Sequence, residues 1–314
     1  MIEAEGLTKY YGDKPAISDV SFHVSEGEIV AFLGPNGAGK TTTMRILTGY
    51  MPATTGTARI AGFDIYDQSL DARAHIGYLP EQASFYDDMT VRQYLRFCGR
   101  LRGVRRREID DRVDEVMDAC RVTEYADRLI SQLSKGYRQR LGLAQALVHN
   151  PDVLILDEPT IGLDPAQVVE TRELIKNLAK EHTVMLSTHI LPEAQMVAER
   201  VLIINNGRII AEDTPEALTK LIRQSSTLLV KVADPSRSVE RELTELSEVR
   251  GVRRVGVDDE GATYHVDTDV GVDLRPTLAE LALKKDWGLL ELRQVEMSLE
   301  EIFLELTGRQ AAAS

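Results

Sequence analysis

Residues 34–41 read G-P-N-G-A-G-K-T, between the apolar stretch Ile29 to Leu33 and a run of helical spacing, TTTMRILTG, that stops at Gly49. Glycines let the backbone curl so that successive N–H groups and a helix N-terminus surround an anionic phosphate. In such a cradle Gly34, Asn36, Gly37, Ala38, Gly39 and Thr42 shape the loop, Lys40 reaches the β- and γ-phosphates, and the Thr41 hydroxyl ligates Mg²⁺. The G-x-x-x-x-G-K-[ST] spacing in a strand–loop–helix context predicts binding of a nucleoside triphosphate. Downstream, VLILDEPT at residues 153–160 puts Asp157 and Glu158 at the C-terminal end of an apolar strand, where open α/β sheets hold their ligands. Strand neighbours face opposite ways, so the two carboxylates are expected to divide the labour. Asp157 would hold the Mg²⁺ shell, and Glu158 would polarise the attacking water as general base.

Four further elements follow in order: Gln82 in YLPEQ, the run LSKGY at residues 133–137, GLD at residues 162–164, and His189 in STH after the apolar TVMLST. This ordered set resembles the nucleotide-binding subunits of ABC transporters over about residues 1–220. The resemblance implies that the nucleotide is ATP and that Tyr11 stacks on adenine. It gives Gln82 a Mg²⁺ contact and a place where a membrane subunit docks, and His189 a contact with the γ-phosphate. Ser134 and Gly136 of the signature run would meet the γ-phosphate held by a second subunit, and Asp164 lies in the D-loop. An aromatic platform contributes about 1–3 kcal/mol to base stacking and tolerates any base; Tyr10 is the alternative platform. The signature departs from the family's commonest LSGGQ at Lys135 and Tyr137, which bears on the rate of hydrolysis, while Ser134 and Gly136 keep the hydroxyl and backbone groups. LSKGYRQRLGLAQAL, a single cassette and the closing SLEEIFLELTG resemble the exporter-type branch that pairs with ABC-2 permeases, among them gliding-motility, sodium-extrusion and drug-resistance cassettes.

The elements that must position these groups can be read from pattern. Strands are expected at Ile2 to Leu7, Val20 to Val24 and Ile29 to Leu33, with Gly12-Asp13 and Glu26-Gly27 as turns, giving an antiparallel opening. Continuous β-branched runs at Val153 to Leu156, Val184 to Leu186 and Val201 to Ile204 predict a mainly parallel core sheet covered on both faces. A charged helical insert falls at about residues 88–145; its RLRGVRRRE cluster is read as a solvated face, with phosphate or lipid headgroups as the other option. Near Gln224 the pattern changes to βαββαβ plus a last helix, SLEEIFLELTG, capped by Ser298 with Glu301 in the capping-box position. The fold class expected is thus α/β, a P-loop ABC ATPase cassette over residues 1–224, followed by a small α+β ferredoxin-like domain over residues 225–314.

With 37 basic and 50 acidic side chains among 314 residues, the net charge of -13 argues against generalised nucleic-acid binding. The opening MIEAEGLTKYY lacks a basic segment followed by an apolar run, and no stretch approaches about 18 apolar residues, so a soluble, unexported chain is expected. Cys98 and Cys120 are far apart without a CxxC, which predicts two reduced thiols rather than a disulfide or zinc site. The function expected is an ATPase motor, with ATP and Mg²⁺ as cofactors, a homodimer as the working unit and an integral-membrane permease as partner. It would be cytoplasmic and peripheral on the membrane through that permease. The runner-up is a soluble ABC ATPase acting on a protein or nucleoprotein complex; a nucleotide sensor without turnover is disfavoured by Glu158.

Overall fold

A computed structural model describes residues 1–218, 226–233, 237–258, 260–269 and 272–294. The helix expected at SLEEIFLELTG lies outside these residues. Contacts divide the chain into Met1–Pro215 and Glu216–Ser314; the break that the pattern suggests, near Gln224, lies outside the described residues.

In the first unit, β1 (Ile2–Tyr11), β2 (Lys14–Val24), β4 (Thr55–Ile60) and β5 (Phe63–Asp64) form an antiparallel sheet in the order β2-β1-β4-β5. Ile2 and Ala4 alternate inward along β1 as period-2 patterning requires, and a register shift between Ala4 and Leu7 turns Leu7 inward as well. The first two strands run beyond their apolar stretches: the ladder continues to Tyr11 opposite Lys14 and closes over Gly12, whose φ of 61° suits the turn. Polar side chains do not end a hairpin whose backbone bonds are still being made.

The second sheet contains β3 (Ile29–Leu33), β6 (Ile76–Leu79), β7 (Val153–Leu156), β8 (Thr183–Thr188), β9 (Arg200–Asn205) and β10 (Arg208–Asp213), ordered β10-β9-β3-β8-β7-β6. All neighbours but β9 and β10 pair in parallel. Every residue of β3, β7 and β8 is buried, which is why those segments read as continuous apolar runs. Because β3, β8 and β7 are adjacent and parallel, the loops after all three open on one edge of the sheet. Those loops carry the residues of interest.

The helices are α1 (Lys40–Leu47), α2 (Ser69–Ala74), α3 (Val91–Leu101), α4 (Ile109–Ala119), α5 (Lys135–Leu147), α6 (Pro165–Leu178) and α7 (Leu191–Val197). The charged insert is α3 to α5, and α3 opens with a capping box between Thr90 and Gln93. In its arginine cluster, Arg105 and Arg107 pair with Glu108 at the surface, as expected of a solvated face. Both thiols are free: Cys98 is half-buried, and Cys120 is buried, which pushes its thiol up to about 12.

The second unit runs β11 (Ser226–Val232), α8 (Arg237–Thr244), β12 (Val249–Asp258), β13 (Gly261–Thr268), α9 (Arg275–Lys284) and β14 (Leu289–Gln294). Its sheet is antiparallel throughout, in the order β12-β13-β11-β14. Leu228, Val230, Tyr264, Val266 and Trp287 form a core of its own. Among the described residues no helix is long and apolar enough to cross a membrane.

Candidate functional site

The loop between β3 and α1 needs its glycines for two different reasons. At Gly34 a Cβ would lie 2.4 Å from the Ile204 carbonyl oxygen. Gly39 combines a φ of 111° with a Cβ position 2.6 Å from Ile17 Cγ2. Any side chain at either place would push the loop off β9 or β2. Lys40 folds back over this loop, its ammonium donating to Gly34 O at 2.8 Å and Pro35 O at 3.2 Å. Asn36, Gly37, Gly39, Lys40, Thr41 and Thr42 line a cavity of about 320 Å³, which also takes in Ala16, Glu81, Glu158 and Ile161. Ala38 is buried beneath it.

Strand β7 ends at Leu156, and the turn after it carries both carboxylates. Glu158 has a left-handed φ of 49° and lies beyond the end of β7, so a turn, and not the strand alternation expected from the sequence, sets the direction of the two carboxylates. Asp157 is fully buried. Its Oδ1 accepts from Ser187 Oγ at 2.6 Å and from Thr41 Oγ1 at 3.4 Å, whereas its buried Oδ2 has no hydrogen-bond partner. Burial pushes the Asp157 carboxyl above the usual carboxylate range, against the hydrogen bonds from Ser187 and Thr41. An unsatisfied buried carboxylate oxygen beside a hydroxyl is a hard-oxygen pair that fits Mg²⁺. Among the described residues no group of three or more His, Cys, Asp or Glu could hold a metal alone.

Glu158 is 5% exposed and stands between two partners. Its Oε1 lies 3.3 Å from the Lys40 ammonium, and its Oε2 accepts from His189 Nδ1 at 3.0 Å. The Glu158 N–H donates to Ser187 Oγ at 2.9 Å, so one hydroxyl of β8 fixes both acidic residues. This geometry suits a base held ready for a proton, with its ring partner oriented by the same carboxylate.

Ser134, Gly136, Asp164, Tyr11 and Gln82 are not among the residues lining that cavity. Ser134 is exposed at the N-cap of α5 and its side chain makes no capping bond. Gly136 is buried, where a Cβ would meet Gln167 Oε1 at 2.6 Å, and a Cβ at Gly162 would lie 2.0 Å from Lys135 Nζ. Asp164 caps α6, accepting from the Gln167 N–H at 3.0 Å. Tyr137 packs on Tyr125 with ring centroids 4.0 Å apart. Tyr11 is 51% exposed, and its hydroxyl donates to Met51 Sδ at 3.1 Å. Gln82 is exposed, and its neighbour Glu81 lines the cavity. Sequence reasoning passed over Glu81 and Ser187. Ser187 had one signal: within TVMLSTH it is the polar residue that directly follows the apolar run Val184 to Leu186.

A phosphate loop, a buried unsatisfied aspartate and a glutamate–histidine pair at the edge of a mainly parallel sheet define a nucleotide-binding ATPase cassette. Residues 17–161 match the family described as ABC transporter. The chain is 44% identical over 209 residues to an uncharacterized ABC transporter ATP-binding protein, YxlF, of Bacillus subtilis (strain 168), covering 67% of this chain and 69% of that one. It is 37% identical to the Nod factor export ATP-binding protein I of Paraburkholderia xenovorans (strain LB400), across 98% of this chain and 97% of that one. A dimeric ATP-binding cassette solved in a post-hydrolysis state with ADP and Pi matches with a TM-score of 0.63 at 25% identity, over 68% of this chain and 99% of that one. The chain belongs to the ATP-binding proteins of ABC transporters.

Proposed function

We propose that this chain is the ATP-hydrolysing motor of an exporter: ATP closes a homodimer, hydrolysis reopens it, and a separate ABC-2-type permease converts the cycle into export. The observation that carries the reading is the convergence of Lys40, Thr41, Asp157, Glu158 and His189 on one sheet edge. Lys40 and the loop N–H groups bind the phosphates, and Thr41, Asp157 and Gln82 hold Mg²⁺. When bound, Mg²⁺ neutralises charge developing on the phosphate oxygens. Glu158 takes the proton of the attacking water, His189 contacts the γ-phosphate, and Tyr11 stacks on adenine. Ser134 and Gly136, which do not line the cavity, serve the partner's phosphate instead, with Asp164 at the same junction.

The dimeric relative with ADP and Pi and the Nod factor export relative support dimerisation and transport as the working mode. The βαββαβ order and the β12-β13-β11-β14 sheet support a ferredoxin-like reading of the second unit. The location is the cytoplasmic face of the membrane, reached through the permease. Detergent extraction of native membranes, followed by isolation of the chain and an assay of Mg-ATP hydrolysis, tests the reading. It is expected to yield an integral-membrane protein in fixed ratio and phosphate release. Recovery solely with ribosomes or a soluble complex would support a permease-free ABC ATPase.

A further inference from the structure

Behind the Glu158–His189 pair sits a second carboxylate that none of the motifs above contains. Glu193 in α7 is 8% exposed. Its Oε2 accepts from Thr160 Oγ1 at 2.7 Å and from Thr188 Oγ1 at 3.2 Å, while its Oε1 lies 3.3 Å from Arg172 Nη2 on α6. Thr160 belongs to the turn that carries Asp157 and Glu158, and Thr188 ends β8 immediately before His189. The Thr188 hydroxyl also accepts from the Ile190 N–H at 3.0 Å, so both its donor and acceptor capacity are used in holding the start of the His189 loop. One carboxylate thus ties the two loops together without lining the cavity.

Two facts make this tie more than packing. A buried carboxylate is costly unless paired and hydrogen-bonded, and an apolar side chain would fill the same volume at less cost. Glu158 also holds a left-handed backbone, a conformation that persists only where its surroundings over-determine it. Three side chains hold that turn: Ser187 accepts from the Glu158 N–H, Gln139 Nε2 donates to the Pro159 carbonyl at 2.8 Å, and Glu193 takes the Thr160 hydroxyl; of these only Glu193 also bonds the loop that carries His189. We infer that Glu193 is a positioning residue for hydrolysis: it clamps the Glu158 turn to the His189 loop and so keeps base and histidine at bonding distance. The inference rests on the assignment of Glu158 as general base.

Removing the clamp leaves the phosphate loop untouched, so its signature is a split between turnover and binding. In the full-length chain, Glu193→Ala is expected to lower kcat by about 10- to 100-fold, the size of effect that small misplacement of reacting groups produces, and to leave the KM for ATP within about twofold. Thr160→Val with Thr188→Val keeps the Glu193–Arg172 pair and the side-chain volume while deleting the tie; it should show the same split and decides the matter if Glu193→Ala does not fold. In a Glu158→Gln background, adding Glu193→Ala should cost less than about twofold more, because the group being positioned is already gone, whereas a general structural defect would multiply. Wild-type chain that does not hydrolyse ATP would remove the motor reading itself. Wild-type hydrolysis that falls with Glu158→Gln, yet stays within about twofold in the clamp variants or moves together with KM, would overturn the positioning role alone.

Discussion

The Lys40 ammonium lies 3.3 Å from Glu158 Oε1, and each side chain is 6% exposed. One residue belongs to the phosphate loop and the other to the turn after β7, so the cation that would meet the phosphates and the carboxylate that would activate water are partners within one chain. Breaking a buried pair from one side leaves the other charge uncompensated, typically at a cost of about 3–5 kcal/mol. Lys40→Ala is therefore expected to lose ATP binding and also to lower stability, and adding Glu158→Gln should restore much of the stability but none of the binding. Nucleotide titration and urea unfolding of the single and double variants check this. ATP binding by Lys40→Ala at the wild-type level would remove the phosphate-loop assignment.

Asp157→Asn separates stability from chemistry at the cation position. Burial holds the folded pKa above the ordinary 3.8, so the folded protein loses stability from this group as pH rises through that shifted value. In metal-free buffer at neutral pH the amide should unfold at a higher temperature, by roughly 0.5–2 kcal/mol of added stability, and the gain should vanish as pH falls towards the ordinary 3.8 of an aspartate. Mg²⁺-dependent hydrolysis should fall by about a hundredfold or more. Thermal unfolding against pH with a phosphate-release assay would show it; an amide variant less stable at neutral pH would contradict the account.

His149 supplies an acid-sensitive site remote from the nucleotide. Its Nε2 meets the Ile76 carbonyl at 3.0 Å, its buried Nδ1 has no partner, and burial with the nearby Arg102 charge lowers its pKa from 6.5 to about 4. The depressed folded value means the unfolded chain binds the proton first, so stability is lost as pH falls from about 6.5 towards 4. His149→Phe should be less stable at neutral pH, having lost the bond to Ile76, but flatter over that interval. Urea unfolding across the interval checks the slope; equal slopes would assign the acid sensitivity elsewhere.

The phosphate loop was legible because its whole signal is local: eight consecutive residues, an apolar strand before them and a helix after. Asp157 and Glu158 were legible for the same reason, as acids ending VLIL. Glu193 was not. Its partners Thr160, Thr188 and Arg172 come from separate elements, and a Glu on a short helix reads as a solvated residue until the β3-β8-β7 order brings the loops together. The left-handed turn at Glu158 was hidden because glycine is the usual marker of such a conformation and glutamate carries no such mark. Strand ends at Tyr11 and Lys14 were missed because hydropathy tracks burial, and these positions are held by backbone pairing at the exposed rim.

If two half-sites meet in an ATP-bound dimer, sedimentation of two variants reads the meeting directly. Glu158→Gln keeps the side-chain shape but removes the proton acceptor, so ATP should still bind while turnover falls by about a hundredfold or more, leaving a Mg-ATP-bound dimer. Ser134 is exposed and free of capping duty at the head of α5, so Ser134→Arg in the same chain should block that dimer by bulk without touching the phosphate loop. Because association depends on protomer concentration, both variants are sedimented over a concentration series with and without Mg-ATP. Glu158→Gln is expected to form a nucleotide-dependent dimer that the added Ser134→Arg abolishes; equal dimerisation of the two variants, or near-wild-type hydrolysis by Glu158→Gln, would contradict the pairing of half-sites.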